Sequence, residues 1–208
     1  MMNAHQALDD AVVYIVEDDD AMRSSLLWLV ESVELKARAF ASADEFLDSY
    51  TTDRPGCLVL DVRMPRVGGF ELQERLNDKG APLPIIFISG HGDVPMSVRA
   101  MKKGAFDFIQ KPFNPQSVLE TIQAALRHGV ERFEEHQVRL AVEHKLAQLS
   151  PREHSVLERV VEGKSSKVIG HELGISSKTV DVHRASIREK FGVTSVARLI
   201  KLVLPYIK

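Results

Sequence analysis

The chain has 208 residues, 44% of them hydrophobic and 27% charged, with a net charge of −2. That length suits two domains, and the composition is that of a well-cored globular protein. No apolar run approaches the ~20 residues of a membrane-spanning helix, and the polar, acidic stretch 1–10 is unlike a secretory signal. The single cysteine, Cys57, excludes an internal disulfide and a zinc site built on several thiolates. Set in an apolar strand, it reads as a small buried hydrophobe. A cytoplasmic protein without membrane partners is expected. The small net charge hides an asymmetry. Residues 1–126 carry 12 Lys+Arg against 19 Asp+Glu (net −7), residues 127–147 carry 4 of each, and residues 148–208 carry 11 against 6 (net +5). An acidic front and a basic back imply separate partners, and the basic end suits a polyanion.

Along residues 1–126, the strand-like runs VVYIV, KARAF, CLVLD, IIFIS and FDFIQ alternate with helix-periodic segments at 21–33, 42–49, 70–79 and 94–103. A last helix opens at Pro115, a residue suited to a first helical turn. Strict alternation predicts an α/β domain with a parallel sheet covered on both faces. Strands this uniformly apolar agree, because they are buried on both sides. The periodic pattern continues past 126 as a polar helical linker over 127–147, interrupted by Gly129 at a cost of about 1 kcal/mol relative to alanine.

Residues 148–208 show no strand pattern. Ser150-Pro151-Arg152-Glu153 is a helix start, with Ser as cap, Pro first and Glu three residues after the cap. Further helices are expected at about 166–173, from 176 or 177 to 191, and from about 195. The link Leu173-Gly174-Ile175-Ser176 has the short, glycine-containing form that a helix-turn-helix requires.

Four strand-like runs end in reactive polar residues: Glu17-Asp18, Asp61, Ser89 and Lys111. In open α/β sheets the site lies outside the carboxyl ends of the strands, so parallel pairing would bring these residues together. Carboxylates gathered this way suit a hard divalent cation, and a carboxylate can accept a phosphoryl group.

The motifs VEDD, LDVRMP, ISGHGD and QKPF, in that order and spacing, resemble the receiver domain of two-component response regulators. The run from Leu149 to Val193, LSPREHSVLERVVEGKSSKVIGHELGISSKTVDVHRASIREKFGV, resembles a LuxR-type helix-turn-helix. Together they place the chain with the FixJ/NarL group, and HGDVPMSVRAMKKGAFDFIQKPF points to the FixJ branch. The resemblance covers nearly the whole chain: a receiver over 1–126 with flavodoxin-like strand order 2-1-3-4-5, the linker over 127–147, and a four-helix DNA-binding domain over 148–208.

It also implies roles. Asp61 would be phosphorylated by a sensor histidine kinase. Mg²⁺ would be held by Asp18, Asp61 and the backbone carbonyl of Arg63, with Glu17 acting through water. Ser89 and Lys111 would bind the phosphoryl group, and Phe108 would be the switch aromatic. Arg63 and His91 would tune how fast water reaches the phosphoaspartate, the chain's only catalysis being its own phosphorylation and dephosphorylation. The Lys111–Pro112 bond would be cis. Phosphorylation would promote a homodimer through residues 94–103 and 106–110.

In the basic domain, base-edge candidates are Asp181, Val182 and Ala185. Phosphate candidates are Lys167, Ser177, Lys178, Thr179, His183, Arg184 and Lys190. Asp181 stands where relatives carry Lys, and Ser166 and Gly170 replace the usual Asn and Ala. Double-stranded promoter DNA is the implied partner, with RNA polymerase a further one.

Two other classes fit parts of the chain. An aspartyl-phosphate phosphatase or phosphotransferase would use Asp61 as nucleophile but usually has a second Asp two residues on, where this chain has Arg63. A module working through protein contacts alone would need neither the acidic cluster nor Lys111.

Overall fold

The computed structural model describes residues 4–90 and 94–207. Packing divides the chain into two units, residues 1–135 and 136–208. The first contains α1 (Ala4–Asp9), β1 (Val12–Val16), α2 (Asp20–Glu31), β2 (Lys36–Phe40), α3 (Ala43–Ser49) and β3 (Gly56–Asp61). It continues with α4 (Gly69–Asp78), β4 (Ile85–Ser89), α5 (Val94–Lys102), β5 (Asp107–Gln110) and α6 (Pro115–Ala147), whose last turns belong to the second unit.

Among the described residues the strands form one five-stranded parallel sheet, ordered β2-β1-β3-β4-β5. This is the expected architecture. β1, β3 and β4 are buried along their whole length, whereas edge strand β2 alternates between exposed and covered positions. Successive side chains of a strand point to opposite faces, so the sheet feeds two cores. Val12, Tyr14, Val16, Leu58, Leu60 and Phe87 pack with residues of α3, α4 and α5. Val13, Ile15, Cys57, Val59, Ile86 and Ile88 pack with residues of α2 and α6. Cys57 is fully buried, as its apolar strand implied, and burial pushes its thiol far above the ordinary range.

The register places the site. Val16 pairs with Leu60, Asp61 with Ile88, and Ser89 with Gln110. The polar residues that follow or end these strands therefore share one edge. Local chemistry fixes the helices there. Asp19 caps α2 by accepting from the Met22 N–H, and Asn114 accepts from the N–H of Gln116 at the start of α6. Gly69 begins α4 where a Cβ would lie 2.3 Å from the Asp61 carbonyl oxygen, so only glycine allows this approach.

Two features differ from the sequence reading. The short helix α1 was not anticipated; its Ala7 is buried against the α2/α6 core. The stretch 127–147 is helical but divided between the units: Val130 joins the first unit's core, and Val142 and Leu146 that of the second. Gly129 explains the first attachment. A Cβ there would fall 2.1 Å from the Gly56 carbonyl oxygen, at the start of β3. Its role is close approach of helix to strand, which outweighs its poor helix propensity.

Beyond α6 the second unit holds α7 (Pro151–Val161), α8 (Ser166–Leu173), α9 (Ser177–Phe191), α10 (Val196–Val203) and a 3₁₀ turn. Ser150 and Glu153 form the anticipated capping box at the start of α7. Gly174 has a φ of 66° and ends α8 in the left-handed conformation that glycine favours. Gly170 answers its own substitution: a Cβ would lie 2.7 Å from the Ile175 carbonyl oxygen, so the tight turn folds back against a bare backbone.

Glu153 does more than cap. It accepts from Ser186 Oγ at 2.8 Å and from Lys190 Nζ at 2.7 Å, tying α7 to α9. Burial alone would raise its pKa, but the hydrogen bonds from Lys190, Ser150 and Ser186 prevail and bring it down to about 2.

Two outcomes follow. Gly129→Ala destabilises the first unit by about 1–3 kcal/mol through overpacking, instead of gaining about 1 kcal/mol from helix propensity; urea unfolding followed by fluorescence of the single tryptophan, Trp28, measures it. The Glu153 contribution is complete above the unfolded carboxylate pKa of about 4.3 and is lost as pH falls toward 2. Glu153→Gln therefore costs about 1–3 kcal/mol at pH 7 and flattens the acid dependence; hydrogen exchange across α7 and α9 in the full chain, compared at pH 7 and pH 3.5, reads both.

Candidate functional site

At the carboxyl edge of the sheet the structure gathers Glu17, Asp18 and Asp61, each offering a carboxylate oxygen within 4.8 Å of the others. Glu17 and Asp61 are buried, 3% and 7% exposed, while Asp18 faces outward. Lys111 crosses from the end of β5 and donates from Nζ to Glu17 Oε2 and Asp61 Oδ1, both at 2.8 Å. The second oxygen of Asp61 accepts from the Arg63 backbone N–H at 2.6 Å, so the carboxylate is held at both ends. The Lys111–Pro112 bond is cis.

The charges respond to this crowding. Burial pushes the Glu17 carboxyl up, with the neighbouring Asp61 adding to it and the Lys111 hydrogen bond opposing. For Lys111, burial draws the ammonium down, but its hydrogen bonds to Asp61 and Glu17 outweigh this and hold it above its ordinary value. An all-oxygen donor set of this charge fits a hard cation that keeps part of its water shell.

Ser89 ends β4, buried, and its carbonyl accepts from the Lys111 N–H at 2.8 Å. Phe108 is half-buried in β5, its ring 6.4 Å from that of Phe87. His91 lies outside the described residues. Arg23 was missed: its Nη1 donates to the Glu17 carbonyl at 2.9 Å, tying α2 to the acidic loop. The hint was a basic side chain in the first turns of a helix opened by three successive aspartates.

In the second unit, α9 buries Val180, Ile187 and Phe191. It leaves Ser177, Lys178, Thr179, Asp181, Val182 and Ala185 exposed, and Val182 is 62% exposed. Lys167 on α8 is also exposed, while His183 and Arg184 are partly covered. Lys190 behaves differently from the others. Its amine donates to Glu153 and to the Gln148 carbonyl, so two of its three donors are turned into the unit. Thr179 Oγ1 lies 2.8 Å from Ser176 Oγ, within the cap of α9.

The family model of the response regulator receiver domain matches residues 13–123, and that of the luxR family of bacterial regulatory proteins matches residues 147–203. The transcriptional regulatory protein TdiR of Thauera aromatica is 44% identical over 206 residues, spanning 98% of this chain and 89% of the relative. The transcriptional regulatory protein FixJ of Azorhizobium caulinodans is 42% identical over 192 residues, spanning 92% and 91%. Among solved structures, response regulator StyR superposes with a TM-score of 0.75 at 41% identity, covering 95% of this chain and all of its own. Full-length FixJ from B. japonicum gives 0.55 at 38% identity, covering 93% and 95%. Both halves thus have their counterparts within the same proteins, and this chain belongs to the FixJ-like transcriptional response regulators, in which a receiver domain is joined to a LuxR-type helix-turn-helix.

Proposed function

We propose that a sensor histidine kinase phosphorylates this regulator on Asp61, and that the phosphorylated form binds promoter DNA through α9 and controls transcription in the cytoplasm. The working parts are a receiver over 1–126, a helical linker over 127–147 and a DNA-binding domain over 148–208. The supporting observation is the convergence of Glu17, Asp18, Asp61 and Lys111 on one edge of the sheet, with Asp61 fixed at both oxygens.

An Asp61 carboxylate oxygen attacks the phosphorus of a phosphohistidine. The P–O bond forms as the P–N bond breaks, and the electron pair leaves with the imidazole. Asp18, Asp61 and the Arg63 carbonyl would hold Mg²⁺, with Glu17 reaching it through water. When bound, the ion neutralises charge on the transferring group. Lys111 then pairs with a phosphoryl oxygen, and the Ser89 hydroxyl donates to another. Water attacking the same phosphorus breaks its bond to the Asp61 oxygen and releases inorganic phosphate, so the catalysis is the protein's own phosphorylation and dephosphorylation.

Engagement of Ser89 draws on Phe108, two positions before the end of β5, and favours a homodimer through 94–103 and 106–110. Val94, Val98 and Met101 support this surface, since all three lie exposed along α5. Ligands shift such an equilibrium only by binding one state better, and the phosphoryl group is the differential ligand here. In the second unit, Asp181, Val182 and Ala185 face base edges. Lys167, Ser177, Lys178, Thr179, His183 and Arg184 surround them for phosphates, and RNA polymerase is the downstream partner. The internal pairing of Lys190 favours a structural role for that residue.

Acetyl phosphate carrying a labelled phosphoryl group should give acid-labile, chelator-sensitive incorporation that Asp61→Asn abolishes. Labelling of that variant at the wild-type level would refute the assignment. Lys178→Ala should weaken binding to all duplexes alike and lower the salt slope of binding by about 1, as measured by titrations over a salt series.

A further inference from the structure

We infer that Ser166, in the first turn of α8, is a positioning residue that fixes Asp181 of α9 to read the amino group of a cytosine in the major groove. This rests on the DNA-binding reading of α9. The Ser166 hydroxyl lies 2.6 Å from Asp181 Oδ1 and 2.8 Å from Arg184 Nη1. The chemistry of the three groups sets the direction of both bonds. A guanidinium only donates, an ionised carboxylate only accepts, and a hydroxyl has one hydrogen. Arg184 therefore donates to Ser166, and Ser166 donates to Asp181.

This relay answers the difficulty of an acid on a DNA-facing helix. A free carboxylate there repels phosphates; one linked through a hydroxyl to a guanidinium is partly compensated. The relay also restricts the carboxylate. Oδ1 is committed to Ser166, and among the described residues Oδ2 has no hydrogen-bond donor. Asp181 shares the exposed face of α9 with Lys178, Val182 and Ala185, so Oδ2 is the acceptor this face presents. In the major groove a carboxylate accepts from cytosine N4, whereas Asn pairs with adenine N6 and N7. Asp181 is thus a specificity determinant, and Ser166 acts through it.

The test uses the full chain with Mg²⁺ and acetyl phosphate, selecting from randomised duplex DNA and then measuring affinities for each base pair at every selected position. Wild type should prefer a C·G pair at one position of each half-site by about 5- to 150-fold. Asp181→Asn should move that preference to A·T and raise affinity for nonspecific duplex, since a repulsive charge is gone. Ser166→Ala should erase the preference and lower nonspecific affinity, since the Asp181 carboxylate is then uncoupled from Arg184, and Ser166→Thr, which keeps the hydroxyl, should restore both. A purely structural relay would change stability without moving one base-pair preference. If wild type binds duplex but Ser166→Ala and Asp181→Asn keep its preferences at every position, the inference falls and the DNA-binding reading stands. If wild type binds no duplex at any salt concentration, both fall.

Discussion

Two buried carboxylates on neighbouring strands, with a third beside them, cannot share one edge of a sheet without a counter-charge, and Lys111 supplies it. Its ammonium bonds Glu17 and Asp61 across 94 and 50 residues of sequence. Desolvation makes each isolated charge costly, and breaking such a pair is costlier still because the surviving partner stays buried. The strand order is what makes the bond feasible. With β1 and β3 adjacent at the centre and β5 reached through β4, the three chain segments end side by side. Gly69 and Arg23 then close the loops around them from α4 and α2.

The second unit solves a different problem by local means. Helices α7 to α10 each open on a serine cap: Ser150, Ser165, Ser176 and Ser195. Left-handed glycines end α8 and α9. Side-chain bridges then hold helix to helix, Glu153 with Lys190 and Ser186 on one side and Ser166 with Asp181 and Arg184 on another. The exposed residues of α9 are therefore not equivalent, since some are free to meet a partner and others are held within the unit.

Most of the first unit was legible because its signals are periodic. Buried strands, helices with one apolar stripe and reactive residues at strand ends each leave a pattern in the order of residues, and the register then brings Glu17, Asp61 and Lys111 together. What escaped depends on contacts that no local pattern records. Gly129 looks like a defect on propensity alone, and only the Gly56 carbonyl facing it shows otherwise. Lys190 reads as a phosphate-contacting cation by sequence, and only the fold brings Glu153, 37 residues away, against its amine. Helix α1 is too short for a periodic signal, and its buried Ala7 is an ordinary residue by sequence. Asp181 was visible as an unusual acid, but its partners Ser166 and Arg184 meet only in the folded unit.

The burial of Cys57 has a kinetic consequence. The thiolate is the reactive species, and here the side chain lies near the start of the central strand, fully covered and with ionisation strongly opposed. Oxidants and alkylating reagents can reach that sulfur only when the sheet opens. Core strands open only in the largest fluctuations, and β3 is central and buried along its whole length, so the protein's one thiol is a clock for global opening. Its rate of modification counts unfolding events of the first unit, and a cation bound by the carboxylates at the end of the same strand slows it by stabilising the folded state.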